Sequence, residues 1–345
     1  MTFKVTVQPD GLMFDVSPDE AILPAAIRSG IGLPYGCRDG ACGSCKSRLI
    51  EGRVIHGVHQ AKALTAAEAA AGWILTCCAT PQTDCVVLAR TFAGAGEYPS
   101  IKMPARVAAL SRPAPDVTVM KLQLPATVAF KYRAGQYIEF ILRDGARRSY
   151  SVATAPEQLG NPPVIELHLR HMPGGKFTDH VFGAMKEKDI LRVEGPFGSF
   201  FLRNESAKPI VLLASGTGFA PIKALIEHLR ATGSTRPAIL YWGCRHKADL
   251  YQHEWAVAAA ATMPNLRYVA VLSEAKPEDD SRGRSGFVHQ AVMADLPDLS
   301  GHEVYACGVP VMVDAARRDF TARCGLPPEA FFADSFTSEA DKHGA

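Results

Sequence analysis

Three cysteines fall inside the stretch GCRDGACGSC, residues 36–45, spaced Cys37-x4-Cys42-x2-Cys45. A disulfide would use two of them and strand the third, whereas a metal centre can use all three if a fourth thiolate arrives from elsewhere. Cys77, in ILTCCAT, is the candidate fourth, with Cys78 beside it as a competitor. Three thiolates can wrap one inorganic centre only where the backbone bends sharply, and Gly36, Gly40 and Gly43 with the small Ala41 and Ser44 give that freedom. Structural zinc is the alternative, but zinc knuckles favour Cys pairs in two separated halves, a poorer match to three ligands in one loop. Cys85, Cys244 and Cys324 read as small buried hydrophobes.

A second group of residues suits phosphate and hydride chemistry. In RRSYS, Arg148, Tyr150 and Ser151 lie on a strand-like run; arginine pairs bidentately with phosphate, and a hydroxyl supports proton movement. PGGKFTDHV, residues 173–181, puts Gly174, Gly175 and Thr178 at a helix start, where free N–H groups and the helix dipole favour a phosphate. In LLASGTGFAPIKAL, Gly216, Thr217 and Gly218 with Pro221 follow an apolar strand and open a helix. That is the setting for a dinucleotide pyrophosphate, although the Gly-x-Gly-x-x-Gly fingerprint is absent. Glycines also end strands in YWGCR (Gly243, Arg245) and CGVPVM (Cys307, Gly308), and FFADSFTS carries Asp334 and Phe336. Neither His-Glu-x-x-His nor Gly-x-Ser-x-Gly occurs, so hydrolase readings have no support.

These residues need three kinds of scaffold. The first, residues 1–93, is small, mixed and strand-rich: a hairpin of FKVTV and LMFDV about Pro9-Asp10-Gly11, and a helix in PDEAILPAAIRSG with Ser17 or Asp19 as N-cap and Gly30 as stop. The cysteine loop follows, then a strand near KSRLIEGRVI, a short helix at TAAEAAAG and a closing strand DCVVLAR. TFAGAGEYPSIKMP is Gly/Pro-rich and aperiodic and reads as a linker. Across 102–204 short β patterns (ARVAALSR, VTVMKLQL, QYIEFIL, RSYSVAT, VIELHLRH, DILRVEGP) suit an antiparallel barrel or sandwich. Over 205–345 strand, glycine turn and helix alternate, which argues for a doubly wound parallel sheet.

Composition agrees with several cores in one chain: 345 residues, 47% hydrophobic and 21% charged. Net charge is +2 with no basic block, so no nucleic-acid or membrane partner is expected. No apolar run nears the roughly 20 residues that span a bilayer. The N-terminus lacks a signal-peptide core, and nine cysteines, an odd number, suit thiolate chemistry in a cytoplasmic protein.

The cysteine spacing resembles that of plant-type 2Fe-2S ferredoxins, in which Cys37, Cys42, Cys45 and Cys77 would be the cluster ligands of a β-grasp domain. The remainder resembles the ferredoxin–NADP reductase family, with its antiparallel β-barrel flavin domain and doubly wound nicotinamide domain. By that resemblance Arg148 pairs with the FAD pyrophosphate, Tyr150 packs on the isoalloxazine, and Ser151 approaches N5. The backbone around His168 faces the ring, and Gly174, Gly175 and Thr178 form the family's Gly-Gly-x-x-Ser/Thr element. Gly216, Thr217, Gly218, Pro221, Gly243, Arg245, Cys307 and Gly308 line the nicotinamide coenzyme, with Cys307 beside the nicotinamide. Asp334 and Phe336 take the places of a carboxylate and of an aromatic that covers the flavin, Asp standing where many relatives have Glu.

The resemblance implies NADH to FAD to cluster electron flow toward a partner such as an oxygenase or a dehydratase, since relatives serve bacterial oxygenases and CDP-6-deoxy-3,4-glucoseen reduction. Cluster and flavin edges must approach closely for electrons to pass, so the ferredoxin domain is expected to dock against the barrel. NADH is favoured over NADPH by the Asp-Leu-Tyr stretch at Asp249, against which Arg245 argues. Mixed charges around the cysteine loop (Arg38, Asp39, Lys46, Arg48) do not name the partner. Two other readings stand beside this one: a redox-sensing nucleotide-binding protein with structural zinc, and a reductase feeding a small acceptor directly.

Overall fold

A computed structural model describes residues 2–92, 94, 96–276, 279 and 284–337. The chain divides into a first compact unit that runs to Pro99 and a second over Ser100–Phe336. Positions 93 and 95 of the expected linker lie outside the described residues, and the linker stops at 100 because a strand begins at Ile101.

In the first unit the elements are β1 (Phe3–Gln8), β2 (Leu12–Val16), α1 (Ile22–Arg28), β3 (Lys46–Glu51), β4 (Val54–His56), α2 (Ala66–Ala70), β5 (Trp73–Leu75), β6 (Ala79–Pro81) and β7 (Cys85–Leu88). Five strands form one mixed sheet in the order β2-β1-β7-β3-β5, and β4 pairs with β6. β1 runs antiparallel to β2 and parallel to β7. Alternation along β1 buries Val5 and Val7, which join Phe14, Val16, Leu33 and Leu75 and the α1 residues Ile22 and Leu23 in the core.

Two expectations here need correction. The helix starts after Ala21, not at Ser17 or Asp19, because the Ser17 amide is engaged by the Glu20 carboxylate and the Ser17 carbonyl accepts from the Glu20 amide. The polar residues make a turn rather than a cap. The strand read across KSRLIEGRVI is two strands, broken at Gly52, where φ is +95° and a Cβ would stand 2.3 Å from the Asp84 carbonyl oxygen.

The second unit opens with β8 (Ile101–Ala114), β9 (Val117–Gln123), β10 (Tyr137–Ile141), β11 (Arg147–Ser151), β12 (Val164–Arg170), α3 (Lys176–Gly183) and β13 (Ile190–Phe197). Six antiparallel strands follow the order β11-β10-β13-β8-β9-β12, and a bridge between Val152 and Leu167 joins the two ends. The expected barrel is therefore closed around Met120, Leu122, Phe140, Leu167 and Val193.

Then come β14 (Ile210–Ser215), α4 (Phe219–Ala231), β15 (Ala238–Cys244), α5 (His253–Thr262), β16 (Leu266–Leu272), β17 (Arg284–Ser285), α6 (Val288–Asp295), β18 (Glu303–Gly308), α7 (Pro310–Arg323) and β19 (Phe331–Ser335). The sheet is parallel, in the order β17-β16-β15-β14-β18-β19. Alternate strand residues feed two cores. Leu212, Leu240 and Tyr305 pack with α4 and α5, while Val211, Tyr241 and Val304 pack with α6 and α7. Helices thus cover both faces, as a doubly wound sheet requires. The barrel residues Val117, Val119, Phe200 and Leu202 enter the α4 side of this core, which makes barrel and sheet one body. Among the described residues no helix is long and apolar enough to cross a membrane.

Candidate functional site

In the cysteine loop, Gly40 has φ of +77° and a Cβ there would stand 2.8 Å from the Val58 carbonyl oxygen, so only glycine fits the bend. The Gln60 amide donates to the Gly40 carbonyl at 3.1 Å and fastens the loop to the segment behind it. The bend aims backbone amides at sulfur. Ala41 and Cys42 N–H both donate to Cys37 Sγ at 3.3 Å, and Cys37 and Ser44 N–H donate to Cys42 Sγ at 3.3 and 3.5 Å. Cys77 arrives on the far side of β5, where the Thr76 amide and hydroxyl both donate to the Cys45 carbonyl, and its sulfur lies 3.3 Å from Cys45 Sγ.

The four thiols form two pairs, Cys37 with Cys42 and Cys45 with Cys77. Among the described residues no three His, Cys, Asp or Glu side chains gather as a single-ion site would need. Paired thiols suit a 2Fe-2S cluster, which Cys37, Cys42, Cys45 and Cys77 would hold. The electrostatics agree. Cys42 beside Cys37, then burial, push the Cys37 thiol far up, while Cys37 holds Cys42 down. Cys45 draws Cys77 down, but Cys78, burial and neighbouring charge outweigh it and push Cys77 up to about 12. The sulfurs are too crowded to ionise together unless positive charge is set among them, so the residues fit the cluster.

On β11 the side chains part by alternation. Arg147 turns to Glu139 and Glu194 at 2.5 and 2.7 Å, which leaves Arg148 and Tyr150 on the opposite face. Tyr150 packs against Phe140 and Phe177, with ring centroids 5.7 and 5.6 Å away. Gly175 caps α3, and a Cβ on it would press to 2.7 Å from Thr178 Oγ1. The Thr178 hydroxyl is buried and donates to the Met172 carbonyl at 2.9 Å, so it fastens the turn. Open space in front of Gly174 leaves the helix start accessible to an anion. The His168 ring turns away into the core, bonded to the Tyr251 hydroxyl at 2.8 Å and to Glu166 at 2.9 Å. Only its backbone remains to meet a flavin.

The third part lies at the carboxyl ends of β14 and β18. After β14 the strand order runs outward to β17, and β18 then returns to the other side of β14, which makes a switch point where doubly wound sheets bind ligands. Gly216–Gly218 form a tight turn there, and a Cβ on Gly218 would stand 2.2 Å from the Cys307 carbonyl oxygen. Pro221 is buried in the first turn of α4. Across the gap Gly308 has φ of +140° and abuts Ser215. Phe331–Ser335 form the edge strand β19, which places Asp334 beside Cys307 in register, and the Phe336 amide donates to the Gly308 carbonyl at 2.8 Å.

Ser151 Oγ donates to Asp334 Oδ2 at 3.4 Å, which brings Ser151, Cys307 and Asp334 together from three strands. Burial pushes the Asp334 carboxyl up to about 6 against the opposing pull of Ser151. Cys307 is fully buried and its thiol is pushed far up by burial. At the end of β15, Gly243 abuts Val288, and Arg245 leans on Asp249 at 3.6 Å.

Family descriptions match all three parts: a 2Fe-2S iron-sulfur cluster binding domain over residues 5–82, an oxidoreductase FAD-binding domain over 104–202, and an oxidoreductase NAD-binding domain over 212–318. A CDP-6-deoxy-L-threo-D-glycero-4-hexulose-3-dehydrase reductase of Yersinia pseudotuberculosis is 40% identical over 97% of this chain and 99% of its own length. The chain belongs to the iron-sulfur flavoprotein reductases. A second relative of this reductase is the reductase component 2 of terephthalate 1,2-dioxygenase from Comamonas, 33% identical over 99% of this chain and all of the relative. Among solved structures, the Amycolatopsis cytochrome P450 reductase GcoB aligns with TM-score 0.79 and 34% identity over 98% of this chain and 99% of its own. The reductase accordingly takes electrons from a nicotinamide coenzyme into FAD and passes them to a 2Fe-2S cluster for an acceptor protein. The zinc-sensor reading falls with this result.

Motifs do not reach one residue of the reductase's crevice. Arg170, at the end of β12, holds its guanidinium 3.0–3.3 Å from where a Gly216 side chain would begin, and pairs with Asp116 at 3.2 Å. It is a fixed cation beside the turn suited to a pyrophosphate. Only the packing of barrel on sheet reveals it, because nothing in VIELHLRH marks Arg170 apart from other strand arginines.

Proposed function

We propose that the reductase uses NADH and delivers its electrons to a dehydrase of the CDP-6-deoxyhexulose type. The coenzyme preference rests on Asp249. Its carboxylate accepts from the His246 amide at 3.2 Å and is held after β15, at the strand end where a dinucleotide's ribose lies in doubly wound folds. A carboxylate there accepts from a ribose 2′-hydroxyl and repels a 2′-phosphate, and Arg245 is drawn onto Asp249. The acceptor rests on the 40% identity that spans nearly the whole Yersinia relative, named for that dehydrase; the relatives named for oxygenases, such as the terephthalate reductase component, stand at lower identity.

In this reading Cys37, Cys42, Cys45 and Cys77 hold the cluster. Arg148 and the Gly174–Gly175 amides hold the FAD phosphates, and Tyr150 flanks the ring. Arg170 and the Gly216–Gly218 turn hold the coenzyme pyrophosphate, while Cys307 and Gly308 border the nicotinamide and Phe336 screens the flavin. FAD, when bound, supplies the conversion of a two-electron hydride into single electrons. The proton carried in with the hydride must leave as the electrons do. The Ser151 hydroxyl passes it to Asp334, whose carboxyl near 6 accepts at neutral pH.

The test is anaerobic reduction of the purified holoprotein by NADH or NADPH, followed by mixing with the purified dehydrase or an oxygenase component. The expected result is a kcat/KM preference for NADH of at least about tenfold, the factor that 1.4 kcal/mol provides, and faster cluster reoxidation by the dehydrase. Equal use of both coenzymes would end the first part, and preferential reoxidation by the oxygenase component the second.

A further inference from the structure

A buried ionic chain lies between barrel and sheet, and none of the roles above uses it. Lys223 and Glu227, one turn apart on α4, are 7% and 5% exposed, and Lys223 Nζ sits 2.6 Å from Glu227 Oε1. Lys223 also reaches Glu166 on β12 at 3.3 Å and donates to the Ala153 carbonyl at 3.3 Å. Glu227 accepts from the Ala155 amide at 3.0 Å through its other oxygen. Burial pushes Glu166 up, but the His168 hydrogen bond and the Lys223 charge outweigh it and hold its carboxyl at about 2. A carboxylate only accepts, so His168 Nε2 carries the proton toward Glu166 and Nδ1 accepts from the Tyr251 hydroxyl. Among the described residues Lys223 is the only lysine or arginine paired with either glutamate.

The position of this chain gives it meaning. Ala153 and Ala155 lie two and four residues after Ser151, and Lys223 and Glu227 stand on the helix that begins at the Gly216–Gly218 turn. We propose that Lys223 and Glu227 are positioning residues that set the hydride acceptor against the donor, by locking the segment after Ser151 onto the helix after the coenzyme turn. Neither touches a reacting atom. Each fixes a backbone group through a desolvated hydrogen bond, Lys223 the Ala153 carbonyl and Glu227 the Ala155 amide, so donor and acceptor share one rigid frame. The inference rests on the assignment of Ser151 and the Gly216–Gly218 turn made above.

The test is Lys223→Met in the holoprotein, studied by anaerobic stopped-flow mixing with NADH. Hydride transfer is expected to fall about 100-fold, the cost of a misplacement near 1 Å, with FAD content and coenzyme Kd unchanged. The long-wavelength charge-transfer absorbance weakens, and amide hydrogen exchange at 153–155 accelerates. If Lys223→Met does not fold, Lys223→Met with Glu227→Gln removes both charges together and is expected to show the same kinetic defect. Unchanged hydride transfer with unchanged exchange at 153–155, in whichever variant folds, overturns the proposal, as does a change confined to coenzyme Kd. Ser151→Ala is measured in parallel. If it leaves both hydride transfer and reoxidation of the reduced flavin intact while Lys223→Met slows hydride transfer, the assignment of Ser151 fails and the lock of residues 153–155 onto α4 stands; slowed reoxidation in Ser151→Ala with unchanged hydride transfer in Lys223→Met sinks the lock alone.

Discussion

The cysteine loop and the crevice at the carboxyl ends of β14 and β18 are built by opposite means. Three of the loop's four thiols lie within residues 37–45, and the bend that gathers them is made where they sit, at Gly40. The crevice joins Ser151 to a carboxylate 183 positions away. No local conformation could do that; it depends on a closed barrel packed against a sheet and on the register of β18 with β19. A local site is secured by which backbone angles its residues tolerate, whereas a remote site is secured by everything that keeps two elements in register.

The strongest way to break this comparison is Cys42→Ser. If the loop is self-contained, the variant loses cluster absorbance and all electron delivery to the acceptor, yet NADH still reduces its flavin at the wild-type rate in stopped-flow spectra. Loss of flavin reduction as well would mean that the two sites are not separable. Next in size is Gly218→Ala, whose Cβ would meet the Cys307 carbonyl oxygen at 2.2 Å. Forcing β14 and β18 apart costs about 1–3 kcal/mol as overpacking does, so a lower melting temperature and a raised KM for NADH are expected, with the cluster spectrum intact.

Asp334→Asn sharpens the comparison with the smallest effect on folding. Native burial raises this acid to about 6, above its ordinary 3.8. The folded state therefore binds the proton more tightly, and the stability of the wild type falls as pH rises from about 4 through 6. The variant escapes that penalty: it should melt a few degrees, about 3 °C, above wild type at pH 8, with the advantage gone by pH 4. Its turnover should be reduced and lack the wild-type decline below pH 6, measured as kcat across pH. A variant that is both more stable and less active is the expected trade at a functional residue.

How much of this was legible follows the same division. The cysteine spacing, the Arg148–Ser151 run and the glycine turns carry their chemistry in a few adjacent residues, and periodicity separated the barrel strands from the later α/β units. The capping signals at Ser17 and Asp19 misled because short polar side chains serve turns as readily as helix starts. FFADSFTS gave no sign of a strand, since five residues at a sheet edge have too little alternation to show. His168 and Arg170, two positions apart on β12, look equally eligible in sequence. Only the layer packed outside the barrel buries the first ring in an ionic chain and leaves the second beside Gly216.

β19 has one more consequence, in the order of synthesis. Its residues leave the ribosome after every other strand and helix of the sheet. A chain interrupted before Phe331 already contains the cysteine loop, the barrel and the Gly216–Gly218 turn, but lacks Asp334 and the outer neighbour of β18. On the proton route proposed above, such a chain lacks the carboxylate that accepts from Ser151, so that route is completed only with the last strand of the sheet.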